Sequence, residues 1–126
     1  MTFFRQQLGR QGEKLAQDHL KSLGFRILAV NYRTVNGEID IIAQKRKWLC
    51  FIEVKTRRND TYGLPRESVH RNKQQKMIRA AEFFLSKNQF EDHDLRFDVI
   101  EVYLENETCQ RIEFIENAFE IIDEND

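Results

Sequence analysis

Four charged residues stand at alternating positions in one otherwise apolar stretch, NGEIDIIAQKRKWLCFIEVKTRR (residues 36–58): Glu38, Asp40, Glu53 and Lys55. The segments that carry them, EIDIIA and LCFIEV, are rich in the β-branched and aromatic residues that favour strands. A turn centred between Arg46 and Lys47 would join them as an antiparallel hairpin whose paired residue numbers sum to 93. Asp40 then lies directly opposite Glu53. Side chains alternate along a strand, so Glu38, Asp40 and Ile42 share a face with Phe51, Glu53 and Lys55. Ile39, Ile41, Cys50, Ile52 and Val54 form the other face, which reads as core.

Two carboxylates facing each other repel unless something cationic sits between them. A divalent ion meets that requirement. Mg²⁺ (or Mn²⁺) prefers hard oxygen ligands and takes one or two carboxylates together with waters and phosphate oxygens. Lys55, two residues past Glu53 on the same face, would stand beside the metal, placed to orient or help deprotonate a water and to neutralise charge developing on a phosphate. Acid, acid and lysine form the set that metal-assisted phosphodiester hydrolysis requires. The same spacing also describes a solvent-facing hairpin of mixed charge in which Lys55 offsets the acids, and spacing alone leaves both open.

The elements that must position these groups follow from periodicity. Residues 8–23 place Leu8, Gly12, Leu15, Ala16, His19, Leu20 and Leu23 at helical spacing, with Gly24 set to end the run. FRILAVNYR (25–33) reads as a strand, followed by the two strands of the hairpin. A polar loop from Asn59 to Pro65 leads to a second helix near 69–87, whose stripe is Lys73, Met77, Ala80, Ala81, Phe84 and Leu85. LRFDVIEVYL (95–104) and QRIEFIENAF (110–119) complete the chain as strands. The order α-β-β-β-α-β-β predicts an α/β fold with a central mixed sheet of about five strands flanked by helices. With 126 residues, no repeat and no linker, we expect one domain over 1–126.

Charge is segregated along the chain. Residues 45–79 hold eleven Lys/Arg and three Asp/Glu, a balance of +8, whereas 91–126 hold thirteen Asp/Glu and two Arg. A basic middle can present a phosphate-binding face while the acidic flank keeps the molecule soluble, although charge runs are more commonly just solvated surface. Cys50 and Cys109 match no zinc or redox spacing and read as small hydrophobes in a reduced compartment. His19, His70 and His93 form no ligand or triad spacing. No run is long and apolar enough to cross a bilayer, so a cytoplasmic protein without a membrane partner is expected. Trp48 beside KRK could stack on a base, but closing the hairpin is its more ordinary role.

The D-x₁₂-E-x-K spacing of Asp40, Glu53 and Lys55 resembles the PD-(D/E)xK motif of restriction-endonuclease-like nucleases, with Ile39 where that motif has proline. The longer series GRQGEKLAQDHLKSLGFRILAVNYR, GEIDIIA, FIEVKTRR, SVHRNKQQKMIRAAEFFL and LRFDVIEV, from about Gly9 to Val102, resembles the YraN family of bacterial proteins, small domains similar to archaeal Holliday junction resolvases. The resemblance implies a restriction-endonuclease-like fold. It also implies Asp40, Glu53 and Glu13 as metal ligands for Mg²⁺ or Mn²⁺, Lys55 and Glu13 as further catalytic groups, and Lys73 as a site residue; beside it, Lys76, Arg57 and Arg58 of the basic middle are expected to contact nucleic acid. From the residues alone, Glu13 reads equally as a first-turn acid favoured by the helix dipole. Lys73 is an odd charge on an apolar stripe unless its amine reaches a polar site.

The expected function is therefore metal-dependent hydrolysis of DNA, on branched or structured forms, since no recognition helix or zinc finger for reading sequence is present. Small resolvase-like domains often act as symmetric pairs, since two strands need two sites, which extends the expectation to a homodimer, although no segment reads as a clear dimer seam. The alternatives are a nucleic-acid binding module that kept the fold without turnover, and a protein-interacting domain using the acidic flank.

Overall fold

In the computed structural model, which describes residues 3–58, 70–106 and 108–120, seven elements follow the expected order. They are α1 (Phe3–Ser22), β1 (Arg26–Arg33), β2 (Glu38–Lys45), β3 (Trp48–Arg58), α2 (Arg71–Lys87), β4 (Asp94–Glu105) and β5 (Thr108–Phe119). The strands form one sheet in the order β1-β2-β3-β4-β5. Every neighbouring pair is antiparallel except β3 and β4, which run parallel from Trp48↔Asp94 to Arg58↔Leu104. Parallel neighbours need a crossover, and α2 supplies it. The result is a restriction-endonuclease-like arrangement, a mixed sheet with a helix on each face.

The helix ends have local causes. FFRQQ contains no glycine or proline, so α1 extends N-terminal of the periodic stretch and starts at Phe3 rather than near residue 8. It stops through a Schellman motif: Phe25 N donates to Leu20 O at 3.0 Å and Gly24 N to Lys21 O at 3.0 Å. Gly24 takes φ +93, a conformation that a side chain would oppose, and Phe25 and Leu20 are buried together beneath the turn. α2 begins at Arg71, after His70 in extended conformation at the N-cap. The expected loop 59–65 and Val69 lie outside the described residues.

Both faces of the central strands are covered, which corrects the assignment of a single core face to the hairpin. Ile41, Ala43, Cys50, Ile52, Ile100 and Val102 pack against Ala16 and Leu20 of α1. Ile42, Leu49, Phe51, Phe97 and Val99 pack against Met77, Ala80, Ala81 and Phe84 of α2. Ile42 and Phe51, on the face that carries the acids, are fully buried. The crossover helix α2 covers one face and the N-terminal α1 the other, and the unbroken apolar run Leu49–Ile52 is the trace of that in sequence. The thiol of Cys50 is pushed up to about 12, by burial first and then by the charge of Asp98, in keeping with an inert core residue.

A candidate metal and nucleic-acid site

The apolar part of β3 ends at Ile52, and from Glu53 to Arg57 the strand is only partly buried, near the start of α2. The β2–β3 ladder runs from Lys45↔Trp48 to Ile41↔Ile52 in the expected register and stops there. One residue further, Asp40 turns its carboxylate onto the partner strand, where Oδ2 accepts a hydrogen bond from Val54 N at 2.8 Å. Two-residue alternation also breaks at this point. Ile39 packs with Ile42 in the α2-side cluster rather than with Ile41, where β2 has left β3 and keeps only its ladder to β1. A carboxylate that replaces a ladder bond is held more firmly than a residue on an exposed strand face.

Asp40 and Glu53 are brought together as expected. Burial raises the Asp40 carboxyl above its ordinary range. Glu53 is pushed up to about 8, by burial first and then by the charge of Asp40, and it donates a hydrogen bond to the Asp40 carboxylate. The two acids therefore hold one proton between them near neutrality. Glu53 Oε2 is buried without a hydrogen-bond partner, with Lys73 Nζ at 3.6 Å.

Lys73 lies over the site from α2, with its amine 2.9 Å from Glu38 Oε1. Burial opposes its charge, but the hydrogen bond from Lys73 to Glu38 and the charges of Glu53, Glu38 and Asp40 outweigh that and raise its pKa. The carboxyl of Glu38 is correspondingly lowered, first by that hydrogen bond and then by the Lys73 charge. An amine on the apolar stripe of α2 is thus explained by the acids beneath it. Lys55 is half-buried, stands opposite Glu101 in the parallel ladder and is close enough for its charge to favour ionisation of Glu53.

Glu13 reaches the same neighbourhood from α1. Gly12 lies so close to β3 that an added Cβ would run into the side chain of Thr56, with Thr56 Cβ at 2.9 Å. The glycine lets the helix sit on the strand and delivers Glu13 to Asp40, whose charge, after burial, raises the Glu13 carboxyl. A side-chain hydrogen bond with Asn31 acts against that rise. Since α1 starts at Phe3, Glu13 is well past the first turn and the helix dipole does not account for it. Among the described residues, no group of three His, Cys, Asp or Glu side chains converges as a ready-made metal site. Glu13 neighbours the acid pair without forming such a group.

The arginines separate. Arg57 turns inward, its Nε 2.7 Å from Glu101 Oε2, and the two side chains are 19% and 1% exposed. Its charge is engaged inside the sheet, with Tyr103 OH 3.4 Å from the same carboxylate oxygen. Arg58 and Lys76 are exposed. Sequence reasoning missed Glu101. The available signal was the repeat of IEV, at 52–54 in β3 and 100–102 in β4, which sets a second acid on the neighbouring strand, two residues past Glu53 and level with Lys55. Trp48 does close the hairpin end, with the Arg96 guanidinium 5.1 Å above its ring.

Residues 12–102, a span that contains every acid and base just described, match the uncharacterised protein family UPF0102, also called the YraN family. The chain belongs to that family. It is similar to a UPF0102 protein of Clostridium acetobutylicum, 44% identical over 90% of this chain and 93% of the relative. UPF0102 proteins of Desulforapulum autotrophicum and Chlorobium phaeobacteroides are each 48% identical to it, over 92% and 94% of this chain and 95% and 98% of their own lengths. No helix among the described residues of this UPF0102 protein is long and apolar enough to cross a membrane.

Proposed function

We propose that this UPF0102 protein is a metal-dependent nuclease that hydrolyses phosphodiester bonds in DNA. The observation that carries the proposal is the Asp40–Glu53 pair, two partly buried carboxyls brought together beside an oxygen with no hydrogen-bond partner, Glu53 Oε2, and both raised by burial. A cation that joins such a pair favours its full ionisation at neutral pH. Its all-oxygen, partly open character fits Mg²⁺ or Mn²⁺. Asp40 and Glu53 would hold the ion, which supplies charge stabilisation and a more acidic water. Asp40 is pre-set for that task by its bond from Val54 N, since a ligand already fixed to backbone costs little to order.

The chain's own cations take the remaining roles. Lys55 orients the attacking water and offsets charge on the phosphate. Lys73 neutralises the acids in the free protein and contacts a phosphate when they are otherwise engaged. Arg58 and Lys76 hold the backbone from outside, while Arg57, fixed to Glu101, keeps the outgoing end of β3 in place rather than touching DNA. Glu13 acts through Asp40. The test is a panel of labelled duplex, single-stranded, flap and four-way-junction DNAs incubated with Mg²⁺, Mn²⁺ or chelator. Metal-dependent products that vanish with Asp40→Asn and Lys55→Ala are expected.

One observation favours a second function, a binding module that keeps the fold without turnover. Lys73 already sits 2.9 Å from Glu38 and 3.6 Å from Glu53, so the acids are partly neutralised without any metal. The same panel, with salt-sensitive binding and no product in any metal, would establish it.

A further inference from the structure

The turn between β1 and β2, with the outer side of α2, forms a surface that the acid pair does not use. Thr34 N and Thr34 Oγ1 both approach Gly37 O, at 2.8 and 3.2 Å, and close the turn. Gly37 rests directly on α2: an added Cβ would strike the carbonyl oxygen of Lys76, with Lys76 C at 2.8 Å and Ala80 N at 3.2 Å. The turn is therefore braced against the helix. At its tip Val35 is 100% exposed, and across a depression of about 740 Å³ lies Phe83, 48% exposed.

The rim of this surface is basic. Arg33 and Arg79 line the larger depression, and Arg33 and Lys76 line a smaller one of about 280 Å³ beside it. Of the two acids there, Glu38 is already engaged by Lys73 at 2.9 Å and by Arg33 at 3.8 Å, which leaves Glu82 against Lys76 and Arg79. Lys73, Lys76 and Arg79 are spaced three residues apart along α2, a row about 9 Å long. That row starts at the acids, where Lys73 Nζ lies 3.6 Å from Glu53 Oε2. A second copy of the chain packed two-fold on this face would set these cations against one another, whereas a polyanion matches them.

We propose that Arg33, Lys76 and Arg79 form the path of the DNA strand leaving the acid pair, and that Val35 inserts beside its bases where the stack is already open. This rests on Asp40 and Glu53 being a DNA site, and it names the structural class of DNA. Burying one valine returns less than unstacking an intact duplex step costs, so the wedge is useful only at a junction, flap or gap. A braced turn keeps the wedge in place, as a loop that ordered on binding would not.

Fluorescence anisotropy in chelator, with a labelled four-way junction and a matched duplex, tests this without cleavage. Exposed side chains are changed, and an unaltered melting curve verifies each variant. Arg33→Ala/Arg79→Ala should weaken binding to both DNAs about tenfold and lower the slope of log affinity against log salt by about 0.9 for each duplex phosphate no longer neutralised. Val35→Ala should leave the duplex unchanged, weaken the junction about fivefold, and abolish the signal of a fluorescent purine analogue unstacking at the branch. A double variant that binds both DNAs like wild type with the same salt slope overturns the path. Equal effects of Val35→Ala on junction and duplex overturn the wedge. If the variants shift sedimentation while DNA binding stays constant, the face is an interface between copies and the proposal falls. Wild type that binds with the expected salt slope and never cleaves removes the nuclease and leaves the strand path standing; wild type that binds no DNA removes both.

Discussion

Replacing Glu53 by glutamine separates the electrostatics of the acid pair from its chemistry. The folded protein holds the Glu53 carboxyl up to about 8, against an ordinary value of 4.5, so the unfolded chain releases this proton more readily than the native one. Glu53 therefore contributes stability that is fully present below pH 4.5 and is lost as pH rises towards 8. At about 1.4 kcal/mol per pH unit, the gap sets a ceiling of about 5 kcal/mol. That value already contains the charges of Lys73 and Lys55, which favour the ionised form; solvent at a side chain 13% exposed, and the sharing of charge with Asp40, reduce the effect further. Roughly 2 to 3 kcal/mol is expected at pH 8. The glutamine side chain keeps the shape and can donate to Asp40 the hydrogen bond that protonated Glu53 donates, yet it does not titrate. In chelator, urea unfolding should show Glu53→Gln more stable than wild type at pH 8 by that amount, the difference shrinking towards pH 5. Mn²⁺ at a hundred times its Kd should return about 2.7 kcal/mol to wild type and far less to the variant. Parallel stability profiles for the two proteins between pH 5 and pH 8 in chelator would falsify the shared proton.

Other outcomes follow from the same geometry. Arg57→Ala should destabilise the fold by about 2 to 4 kcal/mol, since it removes the ion-pair partner at 2.7 Å from the buried Glu101, whereas Arg58→Ala should leave the melting curve alone and reduce only the salt dependence of DNA binding. Equal stability losses from the two changes would refute that division of roles. Lys55→Ala should abolish metal-dependent cleavage with DNA affinity within about twofold of wild type, checked by single-turnover kinetics beside anisotropy. Gly12→Val should cost about 1 to 3 kcal/mol and weaken Mn²⁺ binding measured by calorimetry, because the added carbons push α1, and Glu13 with it, away from Thr56. Unchanged metal affinity in a folded Gly12→Val protein would detach Glu13 from the site.

Local rules were enough for the elements and for the heart of the site. The hairpin register depends on one turn and a period of two, so Asp40 and Glu53 could be paired from spacing, and the glycine after α1 announced its own C-cap. Lys73 was marked by a mismatch, a charge on an apolar stripe, though its partner Glu38 lies 35 residues away and only folding brings it near. Tertiary structure alone decided the rest. Whether Ile42 and Phe51 face water or core depends on where the crossover helix lies, which no local pattern states. Arg57 reads in sequence as one more cation of a basic run. Its guanidinium turns inward because the parallel partner strand presents Glu101 there, and a charge in low dielectric is held by its neighbours rather than by its own residue type. Alternation along β2 likewise fails at Asp40, where the strand leaves β3 while still paired to β1 and the acid takes over a backbone bond, and so the feature on which the proposed chemistry depends is the one a regular pattern could not contain.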